Sequence, residues 1–206
     1  MQHIVIIGGS FTGVGTAHRF LKNVSESTTT PYKVTLVSRD THFFWNVAAP
    51  RGLIPGQIPD EKLWQPIAAG FSQYGSDKFE FVLGTATDID VGGKKLVVAT
   101  PGGDETRIGY DYLVIGSGST TKVDGPWKSR GSTEALKKTF HDYQKRVENA
   151  ESVVVVGAGP TGVETAGELG FVYGTSRKIT LVSEGTHKRG FSFLTEDADI
   201  PWTGRT

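Results

Sequence analysis

The chain has 206 residues, with 22 lysines plus arginines balanced by 22 aspartates plus glutamates, so net charge argues for neither nucleic acid nor an anionic membrane as a partner. It contains no cysteine, which excludes a disulfide framework, a thiolate metal site and a thiol redox centre among these residues. No window offers the roughly 18 apolar residues of a membrane-spanning helix, no signal-peptide pattern follows Met1, and Met1-Gln2 is not a myristoylation start. The expectation is a cytoplasmic α/β protein of one large or two small domains.

In chain order, Ile4 to Ile7 reads as a short buried strand, and Thr12 to Leu21 as the helix after it. Between them, Gly8, Ser10 and Gly13 occupy the three positions of a glycine-rich dinucleotide turn. Ser10 departs from glycine at the second position, but its side chain is small and its hydroxyl can donate to a phosphate. Asn23 to Pro31 is a polar surface loop, and Lys33 to Val37 is a second strand that completes a βαβ unit. An acid that holds a ribose is expected at the end of that strand. The chain has Ser38, Arg39 and Asp40 there, so the acid is displaced or missing.

Thr41 to Pro50, THFFWNVAAP, carries three aromatics in a row. It suits either core packing or a wall beside a flat cofactor ring. A disulfide reductase would place its redox cysteines in this window. Arg51 is a lone cation in an apolar loop, either solvated or in contact with a phosphate or flavin.

Leu53 to Gly75 predicts a helix or two, and Phe79 to Leu83 a strand. Ala86 to Val91, Lys94 to Ala99 and Glu105 to Ile108, separated by glycine turns, predict an antiparallel meander. Tyr110 to Ile115 predicts a buried strand ending at Gly116-Ser117-Gly118-Ser119, a second glycine turn at a strand's carboxyl end, where ligands lie in open α/β sheets. Thr121 to Gly131 has a linker's composition. Ser132 caps the next helix, with Glu134 in its first turn. Leu136, Phe140, Tyr143 and Val147 form one apolar stripe on that helix, read as packing.

A second βαβ unit follows. Val153 to Leu169, VVVVGAGPTGVETAGEL, is a buried parallel strand, a turn with Gly157, Gly159 and Gly162, and a helix whose N-terminus faces an anion. Lys178 to Val182 is its second strand. Glu184, just beyond, is the candidate acceptor for a ribose hydroxyl and favours NADH; Lys188 and Arg189 nearby would instead suit a 2′-phosphate. The five histidines, His3, His18, His42, His141 and His187, show no metal-ligand spacing.

Two such turns, GGSFTG and GAGPTG, together with HFFWNVAAPR and YDYLVIGSGST, resemble the pyridine nucleotide-disulfide reductase superfamily of two-domain flavoproteins. Within it the chain looks most like the apoptosis-inducing-factor-like, mitochondrion-associated proteins of the ferroptosis-suppressor type. The resemblance spans residues 3 to about 185. It implies two Rossmann-like dinucleotide-binding domains in three layers with a β-meander insertion. Residues 1–120 would bind FAD, with the meander at about 86–109. Residues 121–150 would be linker and amphipathic helix, 151–185 the start of an inserted, incomplete NAD(P)-binding domain, and 186–206 an irregular tail.

By match of motif, Gly8, Ser10, Phe11, Thr12 and Gly13 would hold the FAD pyrophosphate, Arg51 would contact FAD, and Ala86 would lie at the adenine end. Gly157, Gly159, Pro160, Thr161, Gly162 and Glu164 would line the nicotinamide dinucleotide. The implied reaction passes hydride from NAD(P)H to FAD and electrons to a quinone-like acceptor. No acid–base residue is assigned. The family's later Gly-Asp motif and C-terminal domain have no counterpart in these residues. The expectation is therefore a fragment or a truncated product, and the alternative function is a non-catalytic nucleotide-binding remnant.

Overall fold

The computed structural model describes residues 1–24, 31–122, 125–128, 131–183 and 192–193. In chain order the elements are β1 (Gln2–Ile7), α1 (Phe11–Arg19), β2 (Tyr32–Ser38), β3 (His42–Phe44), α2 (Ala49–Gly52), α3 (Asp60–Leu63), β4 (Trp64–Pro66) and β5 (Phe79–Leu83). They continue with β6 (Thr85–Asp90), β7 (Lys95–Ala99), β8 (Glu105–Gly109), β9 (Tyr112–Ile115), α4 (Thr133–Asn149), β10 (Ser152–Val156), α5 (Pro160–Tyr173), β11 (Lys178–Val182) and β12 (Ser192–Phe193). They form two compact units. The first comprises Met1–Asn46 and Asp60–Phe140, the second Val47–Pro59 and His141–Thr206. The division falls inside the amphipathic helix α4 rather than in the linker-like stretch before it.

The first unit is built on a parallel sheet of order β5-β2-β1-β9. Alternation along its strands divides the core between the two faces. Ile4, Ile6, Val34 and Leu36 pack with Ala17, Leu21, Ile67 and Phe71 on the α1 side. Val5, Ile7 and Val37 pack with Leu96 and Val98 of the meander. A helix layer, a sheet and an antiparallel β6-β7-β8 layer result, so the expected α/β three-layer fold and its meander are present.

Two expectations need correction in this unit. β9 is not buried: among the described residues it pairs with β1 alone, and Tyr112 and Ile115 are 53% and 63% exposed on this edge strand. Leu53 to Gly75 is not a helix or two but a series of short pieces. Within it, α3 is a single turn, Trp64–Pro66 is a strand paired antiparallel with β3, and Ala68–Phe71 is one 3₁₀ turn. That strand brings Trp64 onto Phe44, with ring centroids 5.4 Å apart and planes 12° apart, and Phe140 meets both rings edge-on. An aromatic cluster decided the conformation where propensity was weak. Ser132 caps α4 as predicted, its Oγ accepting from the N–H of Ala135 at 3.3 Å.

The second unit pairs β10 with β11 in parallel and β11 with the two-residue β12 antiparallel. Ser192–Phe193 thus supplies a pairing where an irregular tail is expected. Val153 and Val155 pack with Ala166 and Leu169 of α5, and with Ile54 and Ile179. β10 is buried on this one face alone, since Val154 and Val156 are 61% and 81% exposed. The fully buried strand expected from four consecutive valines is therefore corrected to a half-buried one.

Titration couples to the first unit's packing. His3 Nε2 lies 2.7 Å from Thr35 Oγ1, and Lys33 bridges Glu80 at 2.6 Å. Burial, then Lys33, holds the His3 pKa below its ordinary 6.5, and burial does the same to His18, which stacks on Phe71 at 4.1 Å. The hydrogen bond from Lys33 lowers Glu80 below 4.5. In each case the unfolded chain binds protons first on acidification, so stability is full above pH 6.5 and falls below it. The expected urea midpoint is flat above about pH 7.5, declines as pH drops through 6.5, and declines further below 4.5. His18→Gln should flatten the histidine part of that slope.

Candidate dinucleotide site

The first predicted turn forms as β1 ends. Gly8 has φ +113°, a conformation that favours glycine, and its N–H donates to the Val37 carbonyl at 2.8 Å. Gly116, at the end of β9, donates to the Ile7 carbonyl at 2.8 Å, so the two glycine turns lie side by side. A side chain on Gly8 would collide with the Gly116 carbonyl, and one on Gly13 with the carbonyl of Gly8. Ser10, the N-cap of α1, is extended at φ −116°, ψ −162°, and its hydroxyl makes no capping hydrogen bond. The first N–H groups of α1 therefore have no helical acceptor, and the helix dipole points at the same place.

In front of this turn lies a cavity of about 360 Å³, lined by Gly8 to Thr12, Ser38 to Asp40, Gly84 to Ala86 and Gly116 to Ser119. Its remaining walls include His42, Phe44, Asn46, Trp64, Lys128, Thr133 and Leu136. The predicted residues Gly8, Ser10, Phe11, Thr12 and Ala86 are all in the lining. Gly13 is not; it sits one layer below and allows α1 to approach Gly8.

The THFFWN stretch serves both of its candidate roles because strand parity divides it. His42 and Phe44 face the cavity, whereas Phe43 packs into the core and meets Phe11 edge-on at 4.8 Å. Burial, then Lys137, holds the His42 pKa below 6.5, so the imidazole is neutral near pH 7.

Several lining residues carry no site signal of their own in the sequence, among them Lys128, Thr133 and Leu136. Lys128 lies in the stretch read as linker, and its Nζ donates to Ser119 Oγ of the second glycine turn. Thr133 and Leu136 belong to the start of α4, whose stripe was assigned wholly to packing. The signal for Lys128 was its proximity to the GSGS turn at a strand end. The residues present fit a dinucleotide: a turn that excludes side chains, unpaired N–H groups at a helix start, and cations at Arg39 and Lys128. Among the described residues no group of His, Cys, Asp or Glu could hold a metal ion.

Arg51 is not in this lining. It lies in α2 of the second unit, where Nε and Nη2 contact the Glu168 carboxylate of α5 at 2.9 to 3.1 Å. The ion pair raises the Arg51 pKa further. The lone cation of the sequence reading therefore has a partner.

The second turn repeats the first. Gly157 has φ +105° and donates to the Val182 carbonyl at 2.7 Å, and a side chain on Gly162 would meet the Gly157 carbonyl. Gly159 is the N-cap of α5, Pro160 its first residue, and open space surrounds the position of a Gly159 Cβ. Thr161 accepts from Thr165 Oγ1 through its carbonyl at 2.6 Å, and Glu164 is exposed on the same helix. Glu184 lies outside the described residues.

Comparison with known proteins agrees with this geometry. The family model for pyridine nucleotide-disulphide oxidoreductases matches residues 2–189. The chain belongs to that family. Members bind FAD and NAD(P)H. The oxidoreductase ptaL of Pestalotiopsis fici is 75% identical over 185 residues, covering 90% of this chain and 50% of the relative. Ferroptosis suppressor protein 1 of Mus musculus is 28% identical over 180 residues, covering 87% and 43%. The sulfide:quinone oxidoreductase of Aquifex aeolicus superposes with a TM-score of 0.66 at 24% identity, covering 89% of this chain and 43% of that one. The chain thus spans half the length of ptaL, and less of the other two. No described helix is long and apolar enough to cross a membrane.

Two glycines of α1 separate packing from propensity. Gly13→Ala forces a side chain into the Gly8 carbonyl and is expected to cost about 3 kcal/mol. Gly15→Ala, with nothing within 4 Å, is expected to gain up to about 1 kcal/mol from helix propensity. Chemical denaturation of both variants checks this pair of opposite signs.

Proposed function

We propose that this chain carries the flavin-binding domain and the opening βαβ unit of the nicotinamide domain of an FAD-dependent NAD(P)H oxidoreductase. Its electron acceptor is a small quinone-like molecule, and the full-length protein works in association with mitochondria or their membranes. The observation that carries the reading is the cavity between the Gly8 and Gly116 turns, together with the repetition of the first turn at Gly157. The likeness to ferroptosis suppressor protein 1 and to a sulfide:quinone oxidoreductase supports the acceptor class.

Bound together, flavin and nicotinamide supply hydride transfer and onward electron delivery. In this reading, the N–H groups from Gly8 to Gly13 and the Ser10 hydroxyl bind the FAD pyrophosphate, and Lys128 adds a positive charge to that cavity. Gly84 to Ala86 accept the adenine end. Phe44 and Trp64 form an apolar wall that excludes water. Gly157, Gly159, Pro160, Thr161, Gly162 and Glu164 hold the nicotinamide dinucleotide, with Glu184 accepting from its ribose and favouring NADH. The Arg51 contact to FAD belongs to the same proposal. The domain assignment as read from the sequence is retained within it.

A second reading is a nucleotide-binding remnant without turnover. Purified protein separates the two. The flavoprotein reading expects a yellow product with flavin absorbance and NADH-driven reduction of a short-chain quinone. Gly159→Val should keep the flavin colour and lower turnover on the order of a hundredfold by crowding the second pyrophosphate. A colourless product that still binds nucleotide weakly favours the remnant.

A further inference from the structure

The first cavity borders a second helix start besides that of α1. Thr133 opens the 17-residue helix α4, and Thr133 and Leu136, one turn apart on it, both line the cavity. Thr133 is 4% exposed. Glu134, the acid of the same turn, is exposed, stands outside the lining and faces Lys137 at 4.0 Å.

The Thr133 hydroxyl serves as an acceptor. The N–H of Thr41 lies 3.2 Å from its Oγ1 and that of His42 3.4 Å, and the Thr41 hydroxyl donates to it at 3.3 Å. These contacts tie the loop after β2 to the start of α4, and they account for the oxygen. They leave its proton without an acceptor among the described residues. A buried hydroxyl that accepts and does not donate is incomplete, and Thr133 borders the cavity. Thr41 sets the direction. With its own proton on Thr133, it accepts from His42 Nδ1 at 2.8 Å, so His42, Thr41 and Thr133 form a chain of donors that ends at the cavity.

We propose that Thr133 is a phosphate donor of the first cavity, brought there by α4 from outside the glycine turn, with Thr41 as its positioning residue. This rests on the reading that FAD occupies that cavity. A buried O–H at a helix N-terminus, where the dipole favours negative charge, suits an anionic oxygen better than a ribose hydroxyl or an adenine nitrogen. The diphosphate is then held by both the α1 turn and the start of α4, elements far apart in sequence.

The test titrates the full chain, freed of flavin, with FAD by flavin fluorescence and records the phosphorus NMR spectrum of the bound diphosphate. Thr133→Val, which keeps the shape and removes the hydroxyl, is expected to bind FAD about tenfold more weakly and to shift a phosphorus resonance. Thr133→Ser, which restores the hydroxyl, should stay within about threefold of wild type with an unshifted spectrum. Should Thr133→Val fail to fold by circular dichroism, Thr41→Val carries the test, with an expected loss of about threefold and the same resonance shifted. An unshifted spectrum in the folded variant overturns the assignment, whether or not affinity falls, and leaves FAD binding intact. Absence of FAD binding by the wild-type chain overturns both.

Discussion

The closest constraint in this structure is the approach of one backbone to another at the strand–turn–helix junction. Gly13 lies against the Gly8 carbonyl, and Gly162 against that of Gly157. Each contact lets a helix start directly over the end of a parallel strand, which points the unsatisfied N–H groups of its first turn at one place. The anion site is thus a by-product of close packing. A larger residue at either third glycine would lift the helix and disperse those donors.

The same economy governs the walls. A parallel sheet must bury both faces, and in the first unit α1 covers one and the meander the other. The loops that leave the carboxyl ends of β1, β2, β5 and β9 all reach the cavity, because parallel strands finish on the same edge. Strand parity then sorts neighbouring side chains, which is why Phe43 is core and Phe44 is wall. In the second unit α5 covers one face of β10 and Val154 and Val156 stand exposed on the other.

Charge within the first cavity is arranged in pairs and contacts rather than as net excess. Arg39 is set against Asp40, and Lys128 donates to Ser119. The overall balance of 22 against 22 charges conceals this, since a polyanionic ligand needs only local cations and aimed N–H groups. His42 adds a neutral polar edge, kept neutral by burial beside Lys137.

From the residues alone, both βαβ units, the meander, the capped α4 and the two glycine turns were legible, because each rests on local chemistry: period-two runs, glycine spacing and a serine cap. Of the lining residues, Gly8 and Ser10 followed from the first glycine turn, and Phe11, Thr12 and Ala86 from the family resemblance. Tertiary structure alone decided the rest. The exposure of β9 and β10 depends on how many neighbours each strand has, which composition does not state. The β3–β4 pairing depends on a Phe44, Trp64 and Phe140 cluster drawn from three separate segments. Lys128, Thr133 and Leu136 reach the cavity only because the chain returns to it after a stretch with a linker's composition. Arg51 found Glu168 across more than a hundred positions of sequence, a distance at which no local pattern carries information.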